Sequence, residues 1–201
     1  IVIACNTATA RSLKEANEKY DIPIIGVIEA GARTAAYSTT NKIVGIIGTE
    51  GTIRSKAYNL EIGKIDKEIK IIDRACPLFV PIVEEGWSNT EIASLTAQKY
   101  LEELMEQGID SLVLGCTHYP LLKRTIGEIV GENIKLVNPA KETAKDLKTI
   151  LENYELVRSN ESFKALYEYY VSDIPEKFAN IGEEFLKKEI QDIKNVEIQK
   201  Y

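Results

Sequence analysis

Two segments place a cysteine at the same point of the same pattern. In Ile1-Val2-Ile3-Ala4-Cys5-Asn6-Thr7 and in Leu112-Val113-Leu114-Gly115-Cys116-Thr117-His118, an aliphatic run ends at a small residue, followed by cysteine, a polar residue and a helix-length stretch. A single cysteine closing a buried strand is as readily a small core hydrophobe. Two equivalent copies imply two related lobes, each presenting a thiol at the C-terminal edge of a sheet, where open α/β folds bind ligands. An ordinary thiol has a pKa of about 8.5, and the N-terminus of a following helix favours its thiolate. Either cysteine can therefore serve as a base, and with its proton restored as an acid. Two such groups on opposite sides of a carbon invert its configuration, one taking a proton and the other returning one. One base alone cannot serve both faces.

The elements that must hold these thiols follow from the patterning. Ile/Val-rich runs alternate with amphipathic stretches: IVIA and a helix near Thr9 to Tyr20, IIGVI and Gly31 to Thr39, IVGIIG and Thr52 to Ile62. The series continues with IKIIDRA, a helix from Asn89 to Gln107, LVLGC, a helix from Leu121 to Val130, and IKLV. This alternation predicts βαβ units with buried parallel strands. Asn138 and Pro139 supply a cap and a first-turn proline for a helix to Asn153. The strand LYEYYVS, a helix from Pro175 to Lys188 and a short VEIQ strand complete the pattern. The chain of 201 residues has room for two compact lobes with a cleft between them.

Composition narrows the partners. The net charge of −6 is spread along the chain and the basic residues form no stripe, so nucleic acid is not expected. No apolar run approaches the roughly 20 residues that cross a bilayer, so a membrane role is not expected either. Three widely spaced cysteines, with no CxxC, speak against a disulfide framework and for a reducing cytoplasm. Ile1-Val2-Ile3 reads as the end of a strand and not as a signal peptide, with the expectation that sequence precedes it.

Five blocks in order, ACNTATA, GVIEAGA, GIIGTEGTIRS, ACPLFVPIVEEG and LGCTHYPLL, closely resemble the glutamate racemases over essentially the whole chain. The resemblance implies two similar parallel-sheet α/β lobes with the active-site cleft between them. One lobe spans residues 29–137; residues 1–28 and 138–201 form the second, short of the family's N-terminal portion with its Asp-Ser motif and Pro-Tyr-Gly segment. It implies interconversion of L- and D-glutamate without cofactor or metal, supplying D-glutamate for peptidoglycan synthesis. A composite lobe short of strands exposes sheet edges that invite pairing with another chain, so a homodimer is expected. Cys5 and Cys116 match the two catalytic thiols, one for each enantiomer. Asn6, Thr7 and Thr117 match positions that bind the substrate's amino and carboxylate groups, and their place at helix N-termini suits a carboxylate. Thr49 and Thr52 match residues around the substrate, although a threonine capping a helix near Thr52 explains them equally well.

His118, the only histidine, matches the group that assists Cys116, and it favours glutamate over aspartate, since aspartate racemases typically carry Glu there. Glu84 matches a carboxylate that supports the acid/base groups, while Glu85 reads as a solvated charge. Cys76 reads as a packing residue, and Trp87 and the tyrosines Tyr167, Tyr169 and Tyr170 as core and edge aromatics.

Other readings stay open at this level. Cys5, Cys76, Cys116 and His118 could ligate zinc, although Cys-x-His gives only one close pair. A pyridoxal phosphate enzyme would need a lysine in a phosphate-binding setting, which the sequence does not offer. Cys116 and His118 could form the nucleophile and base of a hydrolase, which leaves Cys5 unexplained. An aspartate or related amino-acid racemase is a further alternative. For the 201 residues taken alone, little or no turnover is expected if the preceding strand is needed beside Cys5.

Overall fold

The computed structural model describes residues 1–158 and 165–198, which divide into two compact units at Leu156 and Val157. In the first unit the elements are β1 (Val2–Ile3), α1 (Asn6–Lys19), β2 (Ile25–Gly26), α2 (Ile28–Ser38), β3 (Ile43–Gly48), α3 (Glu50–Ser55), α4 (Ala57–Ile65) and β4 (Lys70–Ala75). They continue with α5 (Phe79–Glu84), α6 (Glu91–Glu106), β5 (Ser111–Gly115), a 3-10 turn (Tyr119–Leu122), α7 (Lys123–Val130), β6 (Lys135–Val137) and α8 (Pro139–Asn153). The second unit holds β7 (Tyr169–Val171), α9 (Pro175–Leu186) and β8 (Ile193–Asn195).

Among the described residues the strand pairings are all parallel, in the orders β1-β2, β4-β3-β5-β6 and β7-β8. The four-stranded sheet is buried on both faces, as a parallel sheet must be. Period-two alternation divides its side chains: Ile47, Leu112 and Leu114 pack with Phe79, Leu101, Leu104, Leu122 and Ile126 on one side. Val44, Ile46 and Val113 pack with Ile28, Tyr58 and Ile62 on the other. Helices cover both sides, and α2 is tied to α8 where Arg33 Nη2 meets both oxygens of Asp146 at 2.6 and 2.7 Å.

Several elements differ from the sequence reading for identifiable reasons. Helix α1 begins at Asn6 rather than Thr9, because the Cys5 carbonyl already accepts from Thr9 N at 2.8 Å. Only Ile25 and Gly26 of IIGVI pair as a strand; Ile28 opens α2. The single helix expected from Thr52 to Ile62 is two helices, broken at Lys56 in the left-handed region (φ 54°). There Ser55 Oγ donates to Thr52 O and accepts from Ala57 N, competing with the helical ladder. Helix α5 was masked by Pro77 and Pro81, yet it buries Phe79, Ile82 and Val83 at helical spacing.

In the second unit the last strand is Ile193–Asn195, ahead of the expected VEIQ, whose Gln199 lies outside the described residues. Ile190 is buried and packs closely over Gly182 of α9. The ring of Tyr169 lies 6.2 Å from that of Phe178, while Tyr167, Tyr170 and, in the first unit, Trp87 are exposed rather than core aromatics.

Candidate active site

The register of the central sheet sets the site. Gly48 of β3 pairs with Gly115 of β5 and with Ala75 of β4, so Thr49, Cys116 and Cys76 follow at one sheet edge. Glycine is required at the end of β5, since a Cβ on Gly115 would lie 2.6 Å from the Ile47 carbonyl oxygen. Beyond Cys116 the chain tightens at once: its carbonyl accepts from Tyr119 N at 3.2 Å. The Tyr119 hydroxyl in turn donates to the Cys76 carbonyl at 2.9 Å, anchoring the turn to the neighbouring strand.

Cys5 is exposed and caps α1, with Asn6 and Thr7 in the first helical turn. Thr7 leaves this turn to join a triangle of hydroxyls: its Oγ1 lies 2.7 Å from that of Thr49 and 3.0 Å from that of Thr52, which are 3.1 Å apart. Thr49 is also the N-cap of α3, accepting from Thr52 N at 3.2 Å. Thr49 therefore caps α3 while its hydroxyl also meets those of Thr7 and Thr52. Gly51 makes room for this approach, because a Cβ there would meet Thr7 Cγ2 at 2.8 Å. Asn6, only 3% exposed, accepts a 2.7 Å hydrogen bond at Oδ1 from the hydroxyl of Tyr58 in α4.

The second thiol has a different setting. Cys116 is buried, and burial pushes its thiol above the ordinary range. The His118 and Tyr119 N–H groups and the Thr117 hydroxyl pull it back, while a charge on Cys5 pushes it further up. His118 Nδ1 lies 3.9 Å from Cys116 Sγ and 3.2 Å from Thr117 Oγ1, and its Nε2 lies 3.4 Å from Glu84 Oε1. Glu84 comes from α5, an element the sequence reading lacked, though the residue itself was singled out.

Cys76 is fully buried, with its thiol pushed up to about 12 by burial and its Sγ donating to Arg74 O at 3.7 Å. Among the described residues no group of three or more His, Cys, Asp and Glu side chains could hold a metal ion. Among the same residues no helix is long and apolar enough to cross a membrane. Tyr58 is the functional candidate that sequence reasoning missed. An aromatic on the apolar side of an amphipathic helix looks like any core residue until its hydroxyl is seen to have a partner.

A parallel sheet covered by helices on both faces, with a thiol after a central strand and a second thiol at the start of α1, fits an α/β enzyme of the racemase kind. Residues 1–147 match the Asp/Glu/Hydantoin racemase family, and the chain belongs to it. A glutamate racemase from Geobacter metallireducens is 51% identical over 199 residues, covering 99% of this chain and 73% of the relative. One from Thermoanaerobacter is 44% identical over 201 residues, covering 100% and 74%. The crystal structure of a Bacillus anthracis glutamate racemase matches with a TM-score of 0.91 at 36% identity, over 98% of this chain and 73% of that one. The Francisella tularensis glutamate racemase in complex with D-glutamate matches with a TM-score of 0.91 at 37% identity, over 100% and 74%.

Proposed function

We propose that the protein interconverts L- and D-glutamate without a cofactor, using Cys5 and Cys116 as opposed acid and base. The observation that supports this reading is geometric: Thr7, two residues after Cys5, meets Thr49 at 2.7 Å, and Thr49 follows β3 at the sheet edge where Cys116 follows the paired strand β5. The chemistry requires one of the two thiols charged and the other protonated. The thiolate removes the α-proton from one face, and the opposed thiol donates its own proton to the other face. The products are the opposite enantiomer and an enzyme with the protonation of its thiols exchanged.

The substrate's shared groups fit the surrounding donors. The hydroxyls of Thr7, Thr49, Thr52 and Thr117 and the amide of Asn6 suit an α-carboxylate and amino group, and helix N-termini favour the negative charge. Glutamate as substrate is supported by the names of the relatives and by the Francisella enzyme in complex with D-glutamate. His118 acts on Cys116 through Nδ1, held from behind by Glu84. In the cell this activity supplies D-glutamate to peptidoglycan synthesis from the cytoplasm, and the enzyme acts as a homodimer.

The test is proton NMR in D₂O on the full-length protein, with each enantiomer in turn. Loss of the α-proton signal together with growth of the other enantiomer, in both directions, is the expected result. Absence of α-exchange with either enantiomer would sink the reading.

A further inference from the structure

We propose that Tyr58 is a positioning residue of the site, fixing the amide of Asn6 and tying the two cysteine-bearing turns to one another. This rests on the reading of Asn6 as a substrate-binding group. Tyr58 is buried, and its ring touches the strand end that presents Cys116: a Cβ on Gly115 would lie 3.3 Å from Tyr58 Cε2. At its other end the hydroxyl donates to Asn6 Oδ1 at 2.7 Å, in the residue following Cys5. One rigid side chain therefore spans from the turn of one thiol to the turn of the other.

The hydroxyl is what distinguishes this arrangement from ordinary packing. A phenylalanine would fill the same space, whereas a buried hydroxyl left without a partner costs about 1–3 kcal/mol. Burial pushes the phenol well above its usual range, with the Cys116 charge adding to the rise, so it remains a neutral donor. A fixed donor at Oδ1 decides which way the Asn6 amide faces, leaving its two N–H hydrogens for a carboxylate. Gly31 leaves space at the same point, since a Cβ there would approach Pro139 Cγ at 2.9 Å and the Tyr58 hydroxyl at 3.2 Å.

Steady-state kinetics in both directions on Tyr58→Phe, Asn6→Ala and the double variant test the proposal, alongside the Asn6 side-chain amide signals in ¹⁵N–¹H spectra with and without D-glutamate. Tyr58→Phe is expected to raise KM about tenfold for both enantiomers, the equivalent of one good hydrogen bond, with kcat changed less than about threefold. It is expected to add nothing further in the Asn6→Ala background. Asn6→Asp keeps the oxygen that meets Tyr58 but loses the amide hydrogens, and is expected to raise KM in the same way. Unchanged KM in Tyr58→Phe, or an undiminished effect in the Asn6→Ala background, would overturn the role. Should D-glutamate shift the Asn6 amide signals, and do so less in Tyr58→Phe, without any turnover by the parent protein, the positioning role would stand and the proposed reaction would fall.

Discussion

Glu84 Oε1 lies 3.4 Å from His118 Nε2, on the side of the imidazole away from Cys116. A carboxylate only accepts hydrogen bonds, so it favours the tautomer with the proton on Nε2 and leaves the Nδ1 lone pair facing the Thr117 hydroxyl and the Cys116 thiol. Such an orienting carboxylate behind a histidine fixes both ring and tautomer.

Replacing Glu84 with Gln keeps the shape but lets the side chain donate to Nε2 and favour the other tautomer. Because both partners are partly exposed, the expected cost is modest, about tenfold in kcat/KM. It falls on kcat, with KM nearly unchanged, because Glu84 acts through His118. Kinetics with both enantiomers check this; a rise in KM alone would place Glu84 on the substrate instead.

The pH dependence follows from the burial of Cys116, which raises its pKa. The reaction needs one thiol charged and the other protonated, and the two enantiomers are equal in free energy, so kcat/KM must follow the same pH profile in both directions. Because the raised pKa of Cys116 holds a proton to higher pH, the high-pH limb of that profile is expected above the range of an ordinary thiol, measured from pH 6 to 10 with each enantiomer. A high-pH limb at the ordinary thiol range would count against burial as the controlling influence.

Gly115→Ala is expected to destabilise the fold by about 1–3 kcal/mol, because its Cβ would lie 2.6 Å from the Ile47 carbonyl oxygen, which is backbone within the sheet and cannot swing away. Chemical denaturation measures the loss. A thermal or denaturant midpoint equal to that of the parent would mean that β3 and β5 are less tightly apposed than the structure has them.

Much of the frame is legible from residue pattern. The aliphatic runs IVGIIG and LVLG become the two central strands, because unbroken Val/Ile/Leu runs between amphipathic stretches suit a sheet covered on both faces. The strand-end cysteines are legible for the same reason: Cys116 simply follows the last residue of β5. What the pattern hides is local competition. Ser55 breaks a helix by bonding its neighbours' backbone, and the prolines flanking Phe79 conceal the turn that carries Glu84. The contact between Tyr58 and Asn6, 52 positions apart, depends on tertiary approach, for which neither residue type gives a signal. Thr49 is the opposite case: one side chain both caps α3 and joins the hydroxyls of Thr7 and Thr52.

The two-thiol account is tested most directly by following α-deuterium incorporation from D₂O into each enantiomer with Cys5→Ser and Cys116→Ser. With one thiol lost, the remaining thiolate can still remove a proton from the face it meets and return a deuteron to that same face. Each variant is therefore predicted to exchange one enantiomer without racemising it, and the two variants to act on opposite enantiomers. Racemisation persisting in either variant at the parent rate, or exchange of the same enantiomer by both, would contradict the assignment of Cys5 and Cys116 to opposite faces.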